Sequence, residues 1–275
     1  MMTTPIFFFS GTGNTAWCAE QISQRLGQRG LQTELYSIEA IDRAGVDFCL
    51  EQAPIIGLGW PVYGSDLPEP MKRFIESLPD GGGRKVFTFC TQLLFSGNGA
   101  QVYARELRQR NWQIGWSAHF NMPNNICVTQ VPFPYSADPA DHGKRLQRAS
   151  AKIDRFVVAI YEDRRFAQGA SRFSAALGYL QRGPYRHYFP RLRNDISIDA
   201  EICTRCGRCV TICPVGNLTM ADGLVIAAGH CVLCVRCYNF CPVQAVRYAG
   251  KPHNPKRGIP YRGPVAGFRP EQLIS

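Results

Sequence analysis

What this sequence lacks narrows its function before what it contains is considered. Its longest apolar runs fall well short of the ~18 residues that a membrane-crossing helix needs, so no span is expected. The cluster Ile6-Phe7-Phe8-Phe9 is shorter than the ~7 to 15 residues of a signal-peptide core, and no basic segment precedes it. A cytoplasmic location is therefore expected. Charged residues make up only 19% of the chain, with 31 Lys and Arg against 21 Asp and Glu. No RNA- or DNA-binding motif accompanies the resulting charge of +10, so nucleic acid is not an expected partner. Also missing are a catalytic triad, paired carboxylates and a second nucleotide motif.

The basic excess is unevenly placed. Residues 1–140 carry 10 basic and 12 acidic side chains, residues 141–195 carry 12 and 5, residues 196–250 carry 4 and 3, and residues 251–275 carry 5 and 1. The charge thus lies outside the two stretches that bear chemistry. It points to docking of an acidic protein or an anionic substrate.

Eight of the twelve cysteines form two runs of one spacing, C-x2-C-x2-C-x3-C-P. The first is Cys203, Cys206, Cys209, Cys213, Pro214, and the second, displaced by 28 residues, is Cys231, Cys234, Cys237, Cys241, Pro242. This is an internal duplication. Three thiolates two residues apart wrap three corners of a cubane, while the fourth points to the other cluster. Two 4Fe-4S clusters are therefore expected, one on Cys203, Cys206, Cys209 and Cys241, the other on Cys231, Cys234, Cys237 and Cys213. Tetrahedral zinc would leave the third cysteine and the C-P of each run without a purpose, and disulfides need an oxidising compartment. The segment resembles bacterial two-cluster ferredoxins, which implies a small α+β domain over residues 196–250. Oxygen-sensitive clusters also suit a cytoplasmic setting.

At 275 residues and 45% hydrophobic content, the chain has room for a second, larger core. Pro5 to Ser10 reads as a buried strand, Ala16 to about Gln28 as an amphipathic helix, and Ser10-Gly11-Thr12-Gly13-Asn14-Thr15 as the turn between them. Free N–H groups at a helix start, with hydroxyls beside them, make an anion site that needs no Lys or Arg. Gly11-x-Gly13-x-x-Ala16 also fits the permissive dinucleotide fingerprint, with Glu34 or Glu39 near the position of a ribose-binding acid. The interleaved hydroxyls resemble instead the T/S-x-T-G-x-T phosphate loop of flavodoxins, with Ser10 in place of the first Thr.

Strands at 31–38, 53–59, 84–91 and 113–121 alternate with helices near 69–78 and 100–110. That alternation implies a parallel, doubly wound α/β sheet with its ligand site beyond the strand ends. The chain as a whole resembles flavodoxin-ferredoxin fusion proteins. The resemblance implies a flavodoxin-like FMN domain at 1–165, a basic helical connector at 166–195, the ferredoxin-like domain at 196–250 and a Pro-rich basic tail, an extended strap, at 251–275. It also implies flavin contacts from Trp60, Pro61, Tyr63 and Gly64 in one loop and Thr91, Phe95, Ser96 and Gly97 in another, with Trp60 and Tyr63 as the stacking candidates.

Other readings are plainer. The stretch Met122–Pro139, with Pro132 and Phe133, reads as a lid or a surface excursion. The apolar series Phe166, Ala170, Phe173, Leu177, Leu180 reads as a helix packed between domains and broken at Gly183-Pro184. Cys18, Cys49, Cys90 and Cys127 read as isolated core residues.

Three functions follow from these features. The first is electron transfer between clusters and FMN, with an acidic redox partner such as a ferredoxin, flavodoxin or reductase. The second is FMN-dependent reduction of a small-molecule acceptor fed by the clusters. In the third, a ferredoxin carries a docking domain without flavin.

Overall fold

The structure, a computed structural model, describes residues 3–128 and 134–274. Pro132 and Phe133 lie outside the described residues.

The larger domain starts with β1 (Thr4–Phe8), α1 (Asn14–Gly27), β2 (Thr33–Ser37), α2 (Arg43–Glu51), β3 (Ile55–Pro61) and α3 (Glu69–Ser77). It continues with β4 (Lys85–Gln92), α4 (Ala104–Gln109), β5 (Gln113–Asn121), α5 (Pro139–Tyr161) and the short β6 (Phe166–Ala167). The six strands form one sheet in the order β2-β1-β3-β4-β5-β6, every pair parallel. Its first five strands have the 2-1-3-4-5 order of a flavodoxin-like fold, whose switch point lies between β1 and β3. The period-two rule builds both faces from one apolar run: Ile6 and Phe8 enter the core under α1 and α5, while Phe7 and Phe9 enter the core under α2 and α3. α2 escaped the sequence reading. Its start signal is Asp42, whose carboxylate accepts from Gly45 N–H at 2.8 Å.

α6 (Arg172–Leu192) follows, begun by Ser171, whose hydroxyl accepts from Ser174 N–H at 3.0 Å. Two expectations fail here. The helix runs through Pro184 and Pro190 instead of breaking at Gly183-Pro184. Each proline removes one helical N–H and crowds the carbonyl four residues back; those carbonyls belong to Leu180 and Arg186, both exposed, where water can take them. The apolar series is also not an interdomain seam, since Phe173 and Leu180 stand in solvent and Gly178 and Arg182 face inward.

The small domain comprises β7 (Ser197–Ile198), α7 (Arg208–Thr211), β8 (Leu218–Ala221), β9 (Leu224–Ala227), α8 (Arg236–Phe240) and β10 (Val246–Arg247). β7 pairs with β10 and β8 with β9, both antiparallel. The tail then returns to the large domain: Leu273 joins the α1/α5 core, and Ser37 donates to its carbonyl at 2.5 Å.

Candidate cofactor sites

The loop between β1 and α1 is tied from within and from both sides. Ser10 Oγ accepts from the N–H groups of Gly13 (3.2 Å) and Ala16 (3.3 Å), which folds the loop over the helix start. Thr15 and Thr91 share a hydroxyl hydrogen bond at 2.9 Å, and Asn125 Nδ2 donates to Thr12 Oγ1 at 2.9 Å. Asn14 Nδ2 donates to Pro123 O at 3.1 Å, and the Tyr261 hydroxyl donates to Asn14 Oδ1 at 2.5 Å. Other N–H groups of the first α1 turn lack helical partners, as at any helix start. Together with the hydroxyls they can receive a phosphate although the loop itself, residues 10–15, contains no Lys or Arg.

That loop forms one end of a cavity of about 640 Å³. Ser10, Gly11, Thr12, Asn14, Thr15, Pro61, Tyr63, Gly64, Thr91 and Phe95 of the expected site residues line it. Four expected residues do not. Trp60 is fully buried in the core, its indole N–H donating to Gly99 O at 3.0 Å, because β3 continues through Pro61 and turns the ring inward. Gly13 has φ +96° and faces Pro264 and Phe268 of the tail. Ser96 is buried beneath its loop and donates to Gln92 Oε1. Gly97 lies against the backbone of Gly178 in α6.

Residues that sequence reasoning missed close the cavity: Gln181, Tyr185 and Leu192 of α6, Leu233 and Val235 of the second cysteine run, and Tyr248. Gly64, at φ +57°, admits the Tyr185 ring where any Cβ would collide with it. The residues before the described gap, Met122 to Ile126, form a further wall. Among the described residues, the lining holds no Asp, Glu, Lys, Arg or His. The Tyr63 hydroxyl is buried there without a hydrogen-bond partner among the described residues. An unpartnered buried hydroxyl is costly in protein alone and calls for a polar ligand atom. The hydroxyl loop, the cavity size and this orphan group fit a flavin mononucleotide.

In the small domain, the duplication extends to the backbone. Arg205 and Leu233, Gly207 and Val235, and Gly216 and Gln244 are pairs 28 residues apart that all have positive φ, between 54° and 72°. Equivalent N–H groups reach equivalent sulfurs: Arg205 to Cys203 (3.4 Å), Leu233 to Cys231 (3.3 Å), Asn217 to Cys213 (3.2 Å) and Ala245 to Cys241 (3.2 Å). Donors aimed at sulfur favour the thiolate and tune a bound cluster.

The eight cysteines gather across the repeats. Cys213 lies with Cys231, Cys234 and Cys237 around one small cavity. Burial, together with the neighbouring Cys241, Cys203 and Cys206, raises the Cys209 thiol to about 11. Burial likewise raises Cys234 to about 12. Thiols so disposed bind iron only by losing protons, so metal binding and folding of the segment are coupled. The sets differ in exposure. Cys206 is exposed, whereas Cys231, Cys234 and Cys237 are buried.

Cofactor cavity and cysteines meet at one contact. A Cβ on Gly11 would stand 2.6 Å from the carbonyl oxygen of Cys234, so only glycine lets the phosphate loop rest on the second cysteine run. Arg236 clamps this contact, donating to Ser10 O (2.7 Å), Gly11 O (3.0 Å) and Ile212 O (3.0 Å).

Residues 196–219 match a 4Fe-4S binding domain, and residues 228–244 match a second 4Fe-4S binding domain. No curated protein matches the chain. Among solved structures, it is similar to a flavodoxin from the domain Archaea, with 16% identity, 58% of this chain and 99% of that one covered, and a TM-score of 0.40. It is also similar to the Streptococcus pneumonia TIGR4 flavodoxin (19% identity, 57% and 99% covered, TM-score 0.39). A third is the rubredoxin oxygen:oxidoreductase of Desulfovibrio gigas (13% identity, 58% and 36% covered, TM-score 0.42). The chain thus combines a flavodoxin-like sheet, fixed by its own strand order, with two ferredoxin-type 4Fe-4S segments.

Proposed function

We propose that this chain is an electron-transfer protein in which two 4Fe-4S clusters and FMN form one relay, with Cys203, Cys206, Cys209 and Cys241 holding the outer cluster and Cys231, Cys234, Cys237 and Cys213 the inner one. When bound, the clusters exchange single electrons and the flavin holds one or two. The observation that carries this reading is the shared wall: Leu233 and Val235, from the run that holds the inner set, line the same cavity as Thr12 and Thr15. The chain's own residues do the remaining work. Thr12, Thr15 and the α1 N-terminus hold the phosphate, Tyr63 and Tyr185 enclose the ring end, and the N–H donors at Cys203, Cys213, Cys231 and Cys241 tune the sulfurs.

Exposure orders the relay. Cys206 opens the outer set to solvent, while Cys231, Cys234 and Cys237 of the inner set are buried and their run lines the cavity through Leu233 and Val235. A redox protein therefore docks at the outer set. The absence of charged side chains from the described cavity lining favours a second reading, in which a small uncharged acceptor is reduced beside the flavin. An anionic substrate would find no cation there.

Anaerobically purified protein should hold about eight iron, as two cubanes require, and one FMN. Cys213→Ala should lose the inner cluster and keep the outer one. In stopped flow with a reduced ferredoxin, the variant should bleach its remaining cluster at the normal rate while flavin bleaching is lost. Flavin bleaching at the wild-type rate would break the proposed order; loss of the outer cluster alone would overturn the crossed ligand sets.

A further inference from the structure

α6 carries a face that the relay does not use. Between Arg172 and Arg193 the chain has five arginines and no Asp or Glu. Four large apolar side chains stand out from it, Phe173 73%, Tyr179 72%, Leu180 67% and Tyr188 57% exposed. At 3.6 residues per turn, Phe173, Leu180, Pro184, Tyr188 and Arg191 share the outward stripe, with Arg172, Tyr179 and Arg186 along one flank. The opposite side is committed to the protein. Gly178 lies against Gly97 and Asn98, and Arg182 donates to Ser65 O at 3.1 Å and Asn98 Oδ1 at 2.7 Å. Arg186 is held by Asp66 at 2.6 Å. Arg172 and Arg191 are exposed and, among the described residues, have no carboxylate partner.

We infer that α6 is an interfacial helix that docks the protein onto an anionic lipid surface. A convex row of Phe, Leu and Tyr with arginines beside it is the pattern of a helix lying in the headgroup region. The tyrosines suit that boundary, with an apolar ring and a polar tip. The arginine stems reach along apolar surface while their charges meet lipid phosphates. Charge complementarity selects the lipid: a helix without acidic residues attracts an anionic leaflet along its whole length. No described helix is long and apolar enough to cross a membrane, so the expected mode is lying on the surface. The inference is independent of the flavin reading.

The test is flotation of the full-length holoprotein with vesicles of phosphatidylcholine alone and of phosphatidylcholine mixed with phosphatidylglycerol, at low and high salt. Binding is expected to the mixed vesicles only and should weaken with salt. Arg172→Gln with Arg191→Gln should lower it by roughly 30-fold, and Phe173→Ser with Leu180→Ser should abolish it, with iron and flavin content unchanged. In Leu180→Trp, the emission of the introduced indole should shift to the blue on adding mixed vesicles. No binding to the mixed vesicles, binding unaffected by both double variants, or an unshifted Leu180→Trp spectrum would each overturn the inference. So would failure to float combined with α6-dependent capture of an acidic ferredoxin, which would make the face a protein-docking site.

Discussion

Arg236, with no exposed side-chain surface, makes a two-point ion pair with Glu39, its Nη2 and Nη1 lying 2.7 and 2.8 Å from the two carboxylate oxygens. The arginine belongs to the second cysteine run and the glutamate follows β2, so the pair spans the two domains. Burial pushes the Glu39 carboxyl up, and the Arg236 bonds oppose that shift. The first repeat has an arginine at the equivalent position: Arg208, 28 residues earlier, pairs with Glu271 of the tail at 2.9 Å. Each repeat is thus anchored by an arginine that leaves the small domain to find its carboxylate.

The first expectation concerns that pair. Arg236→Met should cost about 3 to 5 kcal/mol, because it strands a buried carboxylate. It also removes the donor to Ser10 O and Gly11 O, so flavin affinity should fall with stability. The double variant Arg236→Met with Glu39→Met should recover much of the stability, since no orphan charge remains, but not the flavin affinity. Anaerobic denaturation and flavin titration of the three variants check this. Additive losses in stability would show that the pair does not act as a unit.

The phosphate loop offers a second expectation. Thr12→Val with Thr15→Val keeps the shape of both side chains and removes two hydroxyl donors, each contributing roughly 1.5 to 3 kcal/mol toward a charged group. Flavin affinity should fall by roughly 150- to 25,000-fold, leaving the iron content intact. Isothermal titration of stripped protein with FMN measures it, and unaltered affinity would remove the phosphate from this loop.

A third concerns acid stability and lies away from the cofactors. His119 Nε2 accepts from Ala100 N–H at 3.1 Å, and burial lowers its pKa from 6.5 to about 4, with Lys152 adding to the shift. The unfolded chain therefore takes up this proton first. Its contribution is complete above pH ~6.5 and drains away as pH falls toward 4, amounting to about 3 kcal/mol at 1.36 kcal/mol per pKa unit. His119→Gln keeps an acceptor for Ala100 N–H and cannot titrate. Stability curves of the two proteins should converge at neutral pH and separate between pH 6.5 and 4, with wild type falling faster. Parallel curves through that interval would remove His119 as the cause.

Much of this protein is determined locally and so can be read from its sequence. The cysteine runs, the apolar run Ile6 to Phe9 and the glycine-hydroxyl turn after it encode structure through spacing and chain geometry within a few residues. The C-P turn after Cys213 and Cys241 likewise sends the fourth sulfur away from its own run. Trp60 shows where local reasoning stops. Its loop position suggests ring stacking, yet β3 runs on through Trp60 and Pro61, paired with β4, and turns the ring into the core toward Gly99 O. α6 is the larger case. Its apolar period predicts an inward face, but the three-dimensional packing places Gly178 and Arg182 inward, because Asn98 of loop 91–99 approaches too closely for anything bulky at Gly178 and Ser65 and Asn98 accept hydrogen bonds from Arg182. Tertiary structure alone also brings Gly11 against Cys234 and Arg236 to Glu39, positions separated by about two hundred residues. Such contacts depend on how two separately patterned segments dock, and docking leaves no period or spacing in either.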